Sequence, residues 1–129
     1  MILLDTHVLI WLARDPSKLS RAATEAIRNS AQSGGLAISA MTIWELAWLA
    51  THARLNLKEP IDEFVGVLTS RTAIRPITPR IAILANQFPA TYPGDPCDRL
   101  IGATAMAEGI PLVTKDSAIR SYRQIKTIW

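Results

Sequence analysis

The chain has 129 residues, 49% of them apolar and 19% charged, with a net charge of +3 and a single cysteine. That composition excludes a disordered chain and a disulfide-built scaffold, and no apolar run approaches the ~20 residues that span a bilayer. Asp5 comes too early for a signal peptide, so the expectation is one soluble cytoplasmic domain over residues 1–129.

Residues 1–4 read as a short buried strand and 6–14 as a helix, which Asp15-Pro16-Ser17 breaks. Ser20 caps a second helix, through about Gln32, that Gly34-Gly35 ends. Leu36 to Ser39 reads as the second strand, and Ser39 caps a helix running to about Ala53. That helix is apolar around nearly its whole circumference, so it is expected to be largely buried. Trp44 and Trp48 are expected to pack in the core or between subunits. Pro60 starts a helix to about Thr69, and Ile74 to Ile77 reads as a third strand before a helix led by Pro79. Phe88 to Gly94 is loop, and Asp95-Pro96 then opens a helix to about Gly109. Leu112 to Thr114 is a strand, Ser117 to Tyr122 a short helix, and Ile125 to Ile128 a final strand. Strands alternating with helices predict an α/β fold, a parallel sheet flanked by helices, whose crevice lies beyond the carboxyl ends of the strands.

Four acids stand at such junctions, or on helices able to flank them: Asp5, Glu45, Asp98 and Asp116. Gathered together they suggest a divalent-metal site. Each also has a plainer reading. Asp5 and Asp116 follow strands and precede helices, where Asp is a favoured N-cap. Asp95 as cap, Pro96 at the first helical position and Asp98 in the first turn make a good helix start without any metal. The same start holds Asp98 rigidly, which favours Asp98 as ligand and Asp95 as cap or outer acid. Glu45 is the hardest to explain plainly, because an ionised carboxylate in a buried helix is costly unless paired or metal-bound. If these five acids share one pocket, six remain for the rest of the surface against fourteen Lys and Arg. An acidic hole in a basic surface suits a polyanion. His7 reads as a satisfied or partly buried histidine and His52 as a surface residue near a helix end. Zinc lacks a third nitrogen or sulfur ligand, and Cys97 lacks an activating partner for thiol chemistry.

With these residues placed, the chain resembles the PIN-domain ribonucleases, and within them the VapC-type toxins of type II toxin–antitoxin systems. The resemblance runs over essentially the whole chain. It is carried by Ile2-Leu3-Leu4-Asp5-Thr6-His7, by Ile38-Ser39-Ala40 leading to Trp44-Glu45-Leu46, by Asp95-Pro96-Cys97-Asp98-Arg99-Leu100-Ile101-Gly102-Ala103-Thr104-Ala105, and by Leu112-Val113-Thr114-Lys115-Asp116. Each piece alone is weak, but their order and spacing are specific. It implies a three-layer PIN-like fold with Asp5, Glu45, Asp98 and Asp116 as catalytic acids and ligands of Mg²⁺ or Mn²⁺. Thr6 and Thr114 match hydroxyl positions near the metal, Asp95 an acid-proline helix start, and Arg99 a residue beside the acids able to contact phosphate. Members often carry a lysine after the Trp-Glu pair, where this chain has Trp48 and Leu49.

The implied activity is metal-dependent endoribonuclease cleavage of RNA phosphodiester bonds by metal-activated water, leaving 5′-phosphate and 3′-hydroxyl ends. The implied partners are RNA, a second copy in a homodimer, and a cognate VapB-type antitoxin. Haloacid-dehalogenase-type phosphatases also begin with a strand-end aspartate, but need another two residues on, where this chain has His7. A receiver domain lacks its early acidic pair here. The remaining alternatives are a non-catalytic PIN-like domain that binds RNA or protein, and a housekeeping PIN ribonuclease.

Overall fold

A computed structural model describes residues 1–52 and 54–129. Among the described residues the chain builds five parallel strands: β1 (Ile2–Leu4), β2 (Leu36–Ser39), β3 (Ala73–Arg75), β4 (Leu112–Val113) and β5 (Thr127–Ile128). They lie in the order β3-β2-β1-β4-β5, so β1 sits at the centre between β2 and β4. Seven helices among the described residues connect them: α1 (Thr6–Arg14), α2 (Arg21–Gln32), α3 (Ala40–Thr51), α4 (Ile61–Thr69), α5 (Pro79–Asn86), α6 (Pro96–Glu108) and α7 (Ser117–Ser121). A 3-10 turn over Pro16–Lys18 follows α1. No helix among the described residues is long and apolar enough to cross a membrane.

Successive side chains of a strand point to opposite faces, and the apolar residues of the central strands split accordingly. Ile2, Leu4, Ile38 and Val113 join one buried cluster with Val8, Leu9 and Ile10 of α1, Ile27 of α2, Leu46 of α3 and Phe64 of α4. Leu3, Ala37 and Leu112 join a second with Ile81 of α5, Ile101 and Ala103 of α6 and Ile119 of α7. A strand buried on both faces must be apolar at every position, which is why these strands are unbroken runs rather than alternating ones. Three layers result, helices over both faces of a parallel sheet, as the alternation of elements predicts.

Most helix starts are built by side chains. Asp5, Ser20, Ser39, Thr78, Asp95 and Asp116 each accept a hydrogen bond from an N–H in the first turn that follows. Gly109 ends α6 in the left-handed region at φ 64°, a conformation that costs glycine little.

Three expectations are corrected. The third strand spans Ala73–Arg75 rather than 74–77, because Pro76 has no N–H to donate to a ladder. The last strand is shorter than 125–128: the Ile125 N–H turns back to the Tyr122 carbonyl at 3.1 Å, leaving Thr127–Ile128 to pair with β4. The helix carrying Glu45 is not largely buried. Only Thr42 and Leu46 of α3 are fully inside, on one line four residues apart, while Trp44 is 54% and Trp48 37% exposed. Its expected end at Ala53 lies outside the described residues.

Asp98 is positioned by α6, whose packing allows no side chain at Gly102. A Cβ there would lie 2.1 Å from the Tyr92 hydroxyl, which donates to the Asp98 carbonyl at 2.8 Å. Tyr92 is buried and stacked on Phe88 at 3.8 Å, so it cannot simply swing away. Gly102→Ala should therefore destabilise the protein by about 1–2 kcal/mol, overpacking outweighing the ~1 kcal/mol helix preference of alanine. Chemical denaturation would measure it, and an unchanged or raised midpoint would contradict this packing.

Candidate functional site

The carboxyl ends of β1 and β4 are neighbours, so the residues that follow them meet. The Thr114 hydroxyl donates to Asp5 Oδ2 at 2.7 Å and accepts from the Asp116 N–H at 3.1 Å. Asp5 Oδ1 accepts from the Thr6 N–H at 2.7 Å, and Asp116 Oδ1 from the Ile119 N–H at 2.9 Å. Both acids are thus N-caps, as the plainer reading has it, and both also face a shared cavity. Capping does not exhaust them, since each carboxylate oxygen accepts two hydrogen bonds or a bond and a cation.

That cavity encloses about 380 Å³ and is lined by Asp5, Glu45, Asp95, Asp98 and Asp116, with His7, Val8, Trp11 and Lys115. Asp95 and Asp98 reach it from the start of α6, where Asp95 Oδ1 accepts from the Cys97 N–H at 2.7 Å. Glu45 comes from α3, one turn beyond Thr42. It is half-buried and turned to the cavity, so it is not the isolated core carboxylate that a buried helix would imply. The Thr6 and Thr42 hydroxyls are 3.1 Å apart, and either can donate to the other. Thr6, beside Glu45, offsets part of the rise in that acid's pKa.

Burial is the largest influence on the acids. It raises the pKa of Asp5 against the lowering effects of the Thr114 hydroxyl, His7 and the Thr6 N–H. It raises that of Glu45, against Thr6 and with the nearby charge of Asp5. Asp98 is pushed up to about 7, first by burial and then by Asp5, Asp95, Asp116 and Glu45 together. A proton shared into such a cluster is the expected response of carboxylates that cannot all be charged at once.

The donor set suits a hard cation. It offers carboxylate oxygens, one exposed imidazole and no available sulfur, because the buried Cys97 thiol is pushed up to about 12 by its burial and the surrounding acids. Among the described residues no three of these side chains already converge as ligands. Mg²⁺ keeps several waters and needs only one or two direct carboxylates. The residues fit such an ion.

Arg99 differs from expectation. Its guanidinium donates to the Pro93 and Ala85 carbonyls at 2.9 and 3.3 Å, so it braces the loop before α6 and does not line the acid pocket. Conversely Trp11 and Lys115 line it without having been singled out, and so does His7, whose expected place was satisfied or partly buried. His7 is exposed, not satisfied in the core. Adjacency was the available clue: His7 follows Asp5 by two positions and Lys115 precedes Asp116.

The family model "PIN domain" matches residues 2–125. Ribonuclease VapC22 of Mycobacterium tuberculosis is 42% identical over 99% of this chain and 98% of its own length. Among solved structures, VapBC2 from Rickettsia felis bound to a promoter DNA fragment aligns over 98% of this chain and 97% of that one, with a TM-score of 0.75 at 18% identity. DNA-bound VapBC from Salmonella typhimurium aligns over the same shares with a TM-score of 0.73 at 22% identity. At such identities these two speak for the fold alone.

Because folding raises the Asp98 pKa from 3.8 to about 7, the folded state holds a proton that the unfolded chain releases between those values. Stability from this group is therefore present at low pH and lost as pH rises towards 7. The full shift corresponds to ~4 kcal/mol, and for a half-exposed group the screened effect is on the order of 1–2 kcal/mol. Asp98→Asn should raise the melting temperature by about 3–6 °C at pH ~8 and by little at pH ~4. Equal shifts at both values would show that Asp98 is not under this repulsion.

Proposed function

The chain belongs to the PIN-domain family, and on that premise we propose that it is a metal-dependent endoribonuclease, a VapC-type toxin restrained by a VapB-type antitoxin. The observation that carries the reading is the single pocket shared by Asp5, Glu45, Asp98 and Asp116 at the carboxyl ends of the strands. The likeness over nearly the full length to a protein named a ribonuclease supports the substrate class.

Asp5, Glu45, Asp98 and Asp116 are the proposed catalytic residues and would hold Mg²⁺ or Mn²⁺, directly or through water. Such a cation supplies Lewis acidity, making water a better nucleophile at neutral pH and offsetting charge on the phosphoryl oxygens. The chain does the rest. Thr114 and the Thr6 N–H hold Asp5 by both oxygens, so its orientation is set before substrate arrives. Thr6, held by Thr42, stands beside Glu45 and favours its charged form. Asp95 holds the start of α6 and so aims Asp98. Lys115, exposed at the rim, draws a phosphate towards the acids and favours its bound position. Ionised Asp98 is the form that binds a cation, so the affinity of the metal-free protein for the cation should rise with pH through about 7.

The same proposal includes a cytoplasmic homodimer. The edge strand β3 and α5 leave Ile74, Ile77 and Ile83 exposed, at 48%, 43% and 58%, apolar surface that a second copy would cover. The antitoxin is proposed from the VapBC names of the structural neighbours.

The test is cleavage of total cellular RNA by the purified protein with Mg²⁺, Mn²⁺ or EDTA, beside Asp5→Asn and Glu45→Ala. Discrete fragments with 5′-phosphate ends should appear only with metal and fall by at least ~100-fold in either variant. Intact RNA in every lane would favour a PIN-like domain that binds RNA or protein without cutting. Full activity in Glu45→Ala would remove that residue from the site.

A further inference from the structure

Carboxylates that share a pocket repel one another, so each needs a hold on its backbone that the repulsion cannot loosen. Asp5 and Asp116 have theirs in the sheet, just beyond the paired central strands β1 and β4. Asp98 has no strand behind it. It stands in the first turn of α6, and helix ends are where helices fray. Two side chains outside the acid pocket grip that turn. The buried Tyr92 hydroxyl donates to the Asp98 carbonyl at 2.8 Å. Phe88 stacks on the Tyr92 ring at 3.8 Å and Tyr122 packs edge-on against it at 5.6 Å, so the ring is held on two sides. Arg99, next along α6, donates to the Pro93 carbonyl at 2.9 Å and the Ala85 carbonyl at 3.3 Å. It thereby ties the first turn of α6 to the end of α5, whose Ile81 and Ala85 are packed in the second core cluster.

Packing alone would select neither arrangement. A phenylalanine at position 92 would supply the same ring, and a carbonyl inside a helix needs no second donor. Admitting the hydroxyl requires glycine at 102, in the interior of α6, where glycine is the poorest residue short of proline. A guanidinium one residue from Asp98 gains most by pairing with a carboxylate. Yet among the described residues Arg99 makes no ion pair and gives its donors to two carbonyls. Local costs of this kind are carried where a site needs them.

We propose that Tyr92 and Arg99 are positioning residues for the cation site. They brace the backbone of Asp98 against the repulsion of Asp5, Glu45 and Asp116, and so keep its carboxylate where a cation can bind. The inference rests on the metal-dependent reading and adds to it two side chains that touch neither cation nor substrate. Without the brace the first turn of α6 retreats from the other acids, a displacement that metal binding must then reverse.

The test is titration calorimetry of Mn²⁺ into the wild type, Tyr92→Phe, Arg99→Lys and Tyr122→Phe. Tyr92→Phe deletes only a hydroxyl, so it should fold, and should bind Mn²⁺ about 3- to 10-fold more weakly, the range that one hydrogen bond commands. Arg99→Lys keeps the charge but not the fork that reaches two carbonyls, and should lose about 10-fold or more. Tyr122→Phe trims the same aromatic cluster without touching Asp98, and should leave the affinity unchanged. Hydrogen exchange over residues 95–99 should speed up in metal-free Tyr92→Phe and slow again with Mg²⁺. In cleavage assays Tyr92→Phe should need more metal for half-maximal rate, with KM for RNA unchanged. Wild-type affinity in Tyr92→Phe or in Arg99→Lys overturns the brace, even beside a lowered melting temperature, which is all that a structural role would give. An equal loss in Tyr122→Phe overturns it too, because the effect would then belong to aromatic packing. Failure of the wild type itself to bind Mn²⁺ would sink the metal reading and the brace with it.

Discussion

The hydrogen bond from Thr114 to Asp5 joins two residues 109 positions apart at 2.7 Å, and the site is organised around it. It spans the ends of adjacent central strands, so it exists only if β1 and β4 are parallel neighbours in the correct register. Through the same hydroxyl it receives the Asp116 N–H, and so helps set the residue that caps α7. Asp5 in turn caps α1, which carries Thr6, His7 and Trp11 to the cavity. A sheet with both faces covered brings its loops together at one end, and short polar caps are how those loops satisfy buried N–H groups.

The arrangement is costly to stability. Asp5 is buried, and burial together with the surrounding acids raises the proton affinity of Asp98 into the neutral range. Carboxylates drawn together this way destabilise the empty protein and become favourable once positive charge arrives. The rim reflects the same economy. Lys115 and His7 moderate the field of the acids without neutralising it, because both are exposed and screened by water. Such a pocket has the charge pattern that suits a cation and an anionic substrate together.

Much of the sheet was readable from sequence because its central strands are short, mostly apolar runs and most of its helices begin with Asp, Ser or Thr. Asp5 and Asp116 could be located for the same reason: each lies at a junction between a strand and a cap. Packing direction was not readable. The apolar composition of α3 implied burial, yet Trp44 and Trp48 face outward, because one line through Thr42 and Leu46 is enough to seat the helix. Arg99 stands one residue from Asp98, but successive helical positions point about 100° apart, and its guanidinium goes to the Pro93 and Ala85 carbonyls. The place of His7 and Trp11 at the pocket was not readable, because a helical repeat brings them there only once the direction of α1 is known.

The central claim is that the acids form a cation site whose repulsion is relieved by binding. Titration calorimetry of Mn²⁺ into the wild-type protein near pH 7, repeated in buffers of different ionisation heat, tests it most directly. Saturable binding with release of a fraction of a proton, that release abolished in Asp98→Asn, is the predicted result. No binding at millimolar Mn²⁺, or binding with the same proton release in Asp98→Asn, would contradict it.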